Sequence, residues 1–224
     1  MKRIICSMLL FACMAFVAEA HFVYIVPDKD GTSAQIILSE TLEADEDVGI
    51  AKLANMKLIF IDATGKEVSL KHETGKHALT VKVPSRGVIF GSVDYGVMAK
   101  GEGTPYLLRY HAKAILVDAQ AKIATLGEKQ ALEICVVGEP GKNRFQVFSS
   151  GKPVAEAEVT VLKPDGNKEK LKTDKDGYTP SLTGSGRFGA WTKKVETQSG
   201  DLESKAYSEI RNYASIVVDL NPAK

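Results

Sequence analysis

After about residue 20, the chain consists of short apolar or alternating segments separated by turn residues. Alternation of apolar and polar positions is typical of strands that are half-buried in a sheet. Turn sequences such as Asp62-Ala63-Thr64-Gly65 and Pro164-Asp165-Gly166-Asn167 lie between the segments and favour hairpin connections. The pattern therefore predicts an all-β protein of the sandwich type. The predicted strands are 22–26, 34–38, 58–62, 67–70, 78–83, 88–93, 106–117, 132–137, 144–148, 158–162, 169–172, 187–195 and 207–220.

A polar, weakly patterned stretch at 119–130 separates these strands into two groups and is predicted to be a linker. The chain after residue 20 is long enough for two small domains. We predict two immunoglobulin-like β-sandwich domains, at 21–118 and 131–224, after a cleaved signal peptide. One segment departs from the strand pattern. Residues 42–55 open with acidic side chains and then place apolar residues at roughly helical spacing, which predicts a short helix or an ordered loop.

The first 20 residues have the pattern of a secretory signal peptide. Lys2 and Arg3 precede an apolar run at 4–17, and Ala18-Glu19-Ala20 matches a small-residue cleavage site. The apolar run is shorter than the roughly 20 residues that a membrane-spanning helix needs. We therefore predict that the mature protein is periplasmic or secreted and begins at His21.

A lipoprotein box at Leu10-Phe11-Ala12-Cys13 is the alternative to simple cleavage. Acylation of Cys13 would associate the protein with a membrane and leave His21 inside the chain, without a free amine. Phe11 is bulky for such a box, and the apolar run continues beyond Cys13. Both observations favour cleavage after Ala20.

The charge balance limits the possible binding partners, and the cysteine content limits the possible disulfides. Removal of the leader takes away two basic residues and one acidic residue, which leaves 27 of each in the mature chain. This balance argues against nucleic acid as a partner, because nucleic-acid binding needs a basic excess. Cys135 is the one cysteine of the mature chain, so no disulfide forms within it. Its position in an apolar strand predicts a buried thiol.

A histidine at a free amino terminus is a ready-made chelate for a transition metal. The α-amine and one imidazole nitrogen of His21 are both nitrogen donors, of the kind that Cu(II) and Ni(II) favour. Cleavage after Ala20 would create this pair. We therefore predict His21 as a ligand of copper or nickel.

Two further histidines are predicted as metal ligands. Strand alternation places His111 on one face with Arg109 and Lys113, and a polar face of this kind suits either a ligand or a surface histidine. His72 and His77 flank a glycine turn, which would bring both onto one hairpin. The predicted metal ligands are His21, His111 and His77.

Several motifs resemble known exported proteins. The run 150–161, "SGKPVAEAEVTV", and the turn Thr173-Asp174-Lys175-Asp176-Gly177 resemble immunoglobulin-like, carboxypeptidase-regulatory-like modules. The whole chain resembles the exported bacterial family described as the substrate-specific component of nickel uptake. This resemblance covers the leader, the histidine after it, and the segments 93–97, 107–110 and 211–218. It implies handling of a transition metal in the periplasm.

Relatives in that family often have a histidine at the position of Asn212 and another near Lys194. This chain departs from them at both places, which shifts the predicted metal site onto His21 and His111.

We therefore predict an exported Cu- or Ni-binding protein for uptake or sequestration, with a membrane metal transporter as the partner that this role implies. It is not predicted to be an enzyme, because the sequence contains no G-x-S-x-G, P-loop or H-E-x-x-H motif. One alternative is a metal-free structural or interaction module of the cell envelope. The other is a histidine-brace copper monooxygenase, which would need a flat aromatic face. Trp191 is predicted to lie in the core of the second sandwich instead.

Overall fold

The computed structural model describes residues 21–99, 101, 103–119 and 121–221, and most of them lie in β-strands. The predicted signal peptide and Cys13 lie outside the described residues. The strands are β1 (Phe22–Pro27), β2 (Ser33–Ser39), β3 (Lys57–Asp62), β4 (Glu67–Leu70), β5 (His72–Thr74), β6 (Leu79–Lys82), β7 (Gly87–Met98), β8 (Tyr106–Ile115), β9 (Leu132–Val137), β10 (Arg144–Ser149), β11 (Lys152–Pro153), β12 (Glu158–Leu162), β13 (Lys168–Lys172), β14 (Gly186–Glu196), β15 (Gly200–Leu202), β16 (Lys205–Tyr207) and β17 (Glu209–Leu220). The predicted all-β sandwich class is confirmed.

An eight-stranded sheet with the order β13-β12-β14-β17-β8-β7-β3-β4 forms the centre of the molecule. It contains strands from both sides of the predicted linker. β17 and β8 pair in parallel, whereas the other strand pairs of the described chain are antiparallel. The remaining sheets have the orders β1-β2-β6-β5, β11-β10-β9 and β15-β16.

Each face of the central sheet is covered by a different small sheet. Successive residues of a strand point to opposite faces, and in β8 Ala114 belongs to one apolar cluster while Ile115 belongs to another. The first cluster also contains residues of β1, β2 and β6, and the second contains residues of β9 and β10. We call these two sides the β1 face and the β9 face. The core is therefore split into two layers by one sheet.

The predicted linker and the segment 42–55, predicted as a short helix or an ordered loop, both take irregular forms. Residues 121–130 contain two 3-10 turns, Lys122–Ala124 and Gly127–Lys129. The segment 42–55 is an ordered loop with a single 3-10 turn at Ala51–Leu53. No helix in the described residues is long and apolar enough to cross a membrane. Strands on both sides of residues 119–130 share the central sheet. The division into two domains at these residues stays a prediction.

The face with His111 and Lys113, predicted to be polar and to suit either a ligand or a surface histidine, is covered and contains a buried ion pair. Lys113 is 1 % exposed, and its Nζ donates to Oε1 of Glu133 at 2.5 Å and to the carbonyl oxygen of Ala124 at 2.8 Å. Glu133 also accepts the backbone N–H of Leu126 at 2.8 Å. Alternation separates the two faces of a strand, but the layer that covers each face is set by distant parts of the chain.

We expect the Glu133→Ala variant to lose about 3–5 kcal/mol of unfolding free energy, because it leaves the Lys113 ammonium buried without its counter-charge. Urea unfolding of the chain from residue 21 onwards measures this loss. The matched control is Glu158→Ala, which breaks an exposed pair with Lys170 (N···O 3.2 Å) and should cost at most about 1 kcal/mol. Equal losses in the two variants would contradict the role assigned to Glu133.

Candidate functional site

His21 lies immediately before β1 and is held in place by its neighbours. The hydroxyl of Tyr110 donates to the carbonyl oxygen of His21 at 3.0 Å. The next residue, Phe22, is buried and stacks on Trp191, with ring centroids 3.8 Å apart and an interplanar angle of 17°. Tyr213 adjoins both rings. The backbone of His21 is therefore fixed against the β1 face of the central sheet.

This packing corrects the prediction for Trp191. The prediction placed the side chain in the core of the second sandwich, but it packs against the cluster that contains β1. It is half-buried and covered by Phe22. The sequence could not indicate this partner, because the two residues are far apart in the chain.

Asp45 positions the imidazole of His21. Its Oδ2 lies 2.9 Å from Nε2 of His21, and the two side chains are 31 % and 25 % exposed. Oδ1 of Asp45 accepts the backbone N–H of Asp47 at 2.9 Å. The Asp47 N–H and then the hydrogen bond from His21 lower the pKa of Asp45 below its usual range. Asp45 is therefore a carboxylate at neutral pH and accepts a hydrogen bond from Nε2 of His21.

His77 acts on the same carboxylate. It lies in the turn between β5 and β6 and is half-buried, and its charge adds to the lowering of the pKa of Asp45. Among the described residues, its Nδ1 has no hydrogen-bond partner, and the same holds for Nδ1 of His72 at the start of β5. Of the predicted ligands, His21 contacts Asp45 directly, whereas His77 has only a small electrostatic effect on the same carboxylate.

His111 lies elsewhere. It is 4 % exposed and points to the β9 face, whereas the adjacent Tyr110 reaches His21 on the β1 face. Its Nδ1 lies 2.7 Å from Oγ of Ser92, and its Nε2 lies 3.0 Å from Oδ1 of Asn212. Burial lowers the pKa of His111, so the ring is neutral at pH 7. The central sheet thus separates His111 from His21.

The polar network around His111 was not predicted. The amide of Asn212 donates to Oε2 of Glu196 at 3.2 Å, and Lys194 joins Oε1 of Glu196 (3.0 Å) to the hydroxyl of Ser149 (2.6 Å). These residues come from three strands, β10, β14 and β17. Their proximity depends on strand register, which a single sequence does not reveal.

Side-chain ligands alone do not form a metal cluster in the described part of the chain, which contains no group of three or more His, Cys, Asp or Glu residues placed to hold an ion. Cys135 is buried, as predicted, and burial raises the pKa of its thiol to about 11. It is therefore protonated at neutral pH, which is the wrong state for a metal ligand.

Comparisons with known proteins assign no family to the chain. No family model matches it, and no curated protein matches it. Among solved structures it is similar to a pullulanase from Anoxybacillus sp. LM18-11, at 11 % identity and a TM-score of 0.19. The match covers 84 % of this chain and 27 % of the pullulanase chain. A likeness this low carries no argument, and the resemblance to the nickel-uptake family stays a prediction.

We expect His21→Ala to raise the pKa of Asp45, although not to its usual value, because the N–H of Asp47 still contributes. Carboxyl-carbon NMR titration of the chain from residue 21 onwards measures this change. A lowered carboxyl pKa stabilises the fold above the unfolded-state value and loses that effect as the pH falls. The acid-side loss of stability should therefore be smaller in the variant. His72→Ala is the control, and a response of Asp45 equal to that in His21→Ala would contradict the assigned pairing.

Proposed function

We propose that the protein is an exported transition-metal binding protein that holds Cu(II) or Ni(II) at the amino terminus created by cleavage before His21. The role would be uptake or sequestration in the periplasm or outside the cell. The hydrogen bond between Asp45 and His21 is the observation that carries this proposal.

Asp45 selects the tautomer that a chelate needs. A carboxylate only accepts hydrogen bonds, so Nε2 of His21 carries the proton. The lone pair of the imidazole then lies on Nδ1, the ring nitrogen nearer the α-amine. Metal-binding histidines commonly donate their other N–H to a carboxylate, which orients the ring and increases its basicity. The contact between Asp45 and His21 has this arrangement before any ion binds.

The anchoring of His21 favours the same function. Its carbonyl is held by Tyr110 and the following ring by Trp191. A donor pair that is ordered before binding loses less entropy when it binds an ion. The α-amine would therefore start from a defined position beside the ring.

His77 is the candidate for a third donor. It has a small electrostatic effect on the pKa of Asp45, and it is one of the three histidines predicted as ligands from the sequence. His111 would have to reach through the central sheet. The lack of a three-residue cluster in the described chain is compatible with this site, because one of its donors is the α-amine.

One observation favours a second candidate, a metal-free module of the envelope. The described residues hold no preformed set of side-chain ligands, and such a module needs none. Titration with metal distinguishes the two functions. The copper monooxygenase alternative shares His21 but also needs a second histidine and an exposed aromatic platform, and Trp191 is half-buried under Phe22.

We expect the chain that starts at His21 to bind Cu(II) and Ni(II) more tightly than the same chain with Ala20 retained, because the extra residue turns the amine into an amide. Competition titration against a chelator of known affinity measures the difference. His77→Ala should weaken binding less than retention of Ala20. Equal affinity of the two chain forms would overturn the proposal and favour the metal-free module.

Asp45→Asn should lower the affinity for Cu(II) about 10–100-fold, the usual effect of losing a carboxylate behind a histidine ligand. The matched control is Asp62→Asn. Asp62 also accepts the N–H of the residue two positions on (Thr64, 2.8 Å), but it is the last residue of β3. The control should bind like the unaltered chain, and equal weakening in both variants would mean that Asp45 acts only through general charge.

A further inference from the structure

Three side chains on neighbouring strands, Ser92, His111 and Asn212, form a chain of hydrogen bonds that we call the relay. It is not part of the proposed metal site. Ser92 on β7 stands opposite His111 on β8, and Asn212 on β17 is brought beside His111 by the parallel pairing. The distances are 2.7 Å from the serine Oγ to Nδ1 of His111 and 3.0 Å from Nε2 to Oδ1 of Asn212. A hydroxyl, an imidazole and an orienting group joined in this order are the parts of an activated nucleophile.

The neighbours of the relay fix its hydrogen bonds in one direction. The carboxylate of Glu196 accepts from the amide nitrogen of Asn212, so Oδ1 of Asn212 faces His111. Nε2 of His111 therefore donates to Oδ1, and Nδ1 accepts from the hydroxyl of Ser92. Burial keeps the ring neutral at pH 7. In this state the imidazole can accept the hydroxyl proton.

Of the three side chains of the relay, only Ser92 is accessible from the surface. Ser92 is half-buried and lines a surface cavity of about 420 Å³, whereas His111 and Asn212 are 4 % and 1 % exposed and lie behind it. Lys57 and Arg109 bring positive charge to the cavity. Asp94 pairs with Arg109 through two hydrogen bonds (2.5 and 3.2 Å), and Lys57 has no ion-pair partner among the described residues.

The size and lining of the cavity set the class of substrate. It has room for a small molecule, and Leu202 adds apolar surface beside the charged groups. Asp94 and Glu203 balance the two cations, so the lining has no strong preference for a charged substrate. A small uncharged acyl ester fits these properties.

We propose that Ser92 is the nucleophile of a hydrolase site for small acyl esters, independent of the metal site. Oγ attacks the carbonyl carbon while Nδ1 of His111 takes the hydroxyl proton. The C–O bond to the alcohol breaks, and Nδ1 returns the proton to the departing alcohol. Water, deprotonated by the same nitrogen, then cleaves the acyl-serine, releases the carboxylic acid and restores Ser92. Asn212 acts as a positioning residue through His111.

The test uses the mature chain, freed of metal with a chelator, and two probes: p-nitrophenyl acetate turnover and labelling by a fluorophosphonate. We expect covalent labelling at Ser92, located by peptide mass spectrometry, and turnover that Ser92→Ala reduces to the level of buffer. The rate should rise with pH through the pKa of His111, which lies below the ordinary histidine value. Asn212→Ala should change this pH profile as well as the rate.

Ser69→Ala is the matched control, because Ser69 is an exposed serine on the edge strand β4. It should keep full turnover and full labelling. A thermal melt of each variant shows whether the fold is retained. If Ser92 takes up no label, and folded Ser92→Ala hydrolyses the ester as fast as the unaltered chain, the relay is a structural hydrogen-bond network and the proposal fails.

Discussion

The parallel pairing of β8 with β17 is the constraint on which the rest of the molecule depends. Parallel neighbours cannot be joined by a tight turn, and the two strands come from opposite sides of the predicted linker. Their register places Tyr110 beside Tyr213 on one face and brings Asn212 to His111, 101 residues away in sequence, on the other. This one strand pairing thus positions the tyrosines that pack near His21 on the β1 face and the relay residues His111 and Asn212 on the β9 face.

The same pairing explains why polar groups are buried in an otherwise apolar core. A sheet covered on both faces has no solvent-facing side at its centre, so the polar residues of β8 must find partners inside. Lys113 forms an ion pair with Glu133, and His111 forms hydrogen bonds with Ser92 and Asn212. On the β1 face, the hydroxyl of Ser215 donates to the carbonyl oxygen of Val23 at 2.5 Å. The contacts of Lys113 with Glu133 and of Ser215 with Val23 tie the central sheet to the layers on its two faces, whereas those of His111 join neighbouring strands within the central sheet.

The sequence predicts local features well. Strands β4, β9 and β12 have the predicted bounds, and the apolar runs of β9 and β12 end close to turn residues, Gly138 and Pro164. It could not predict which layer covers each face. His111 was expected on a polar face that suits either a ligand or a surface histidine, and it is buried because β9 and the segment before it cover that face. Residues 42–55 have helical spacing but form mostly a loop, in which Asp45 meets His21 instead of starting a helix. The carboxylate beside His21 could not be predicted, since loop geometry alone brings it there.

The proposed metal site depends most on one pair of donors immediately before β1, the α-amine and Nδ1 of His21. The most direct test is a crystal structure of the chain beginning at His21 with Cu(II) bound, with the ion located by its anomalous scattering. The account predicts an ion about 2 Å from both the α-amine nitrogen and Nδ1 of His21, the distance usual for nitrogen ligands of first-row metals, with Asp45 still bonded to Nε2. An ion bound elsewhere, or bound at Nε2 after displacing Asp45, would contradict it.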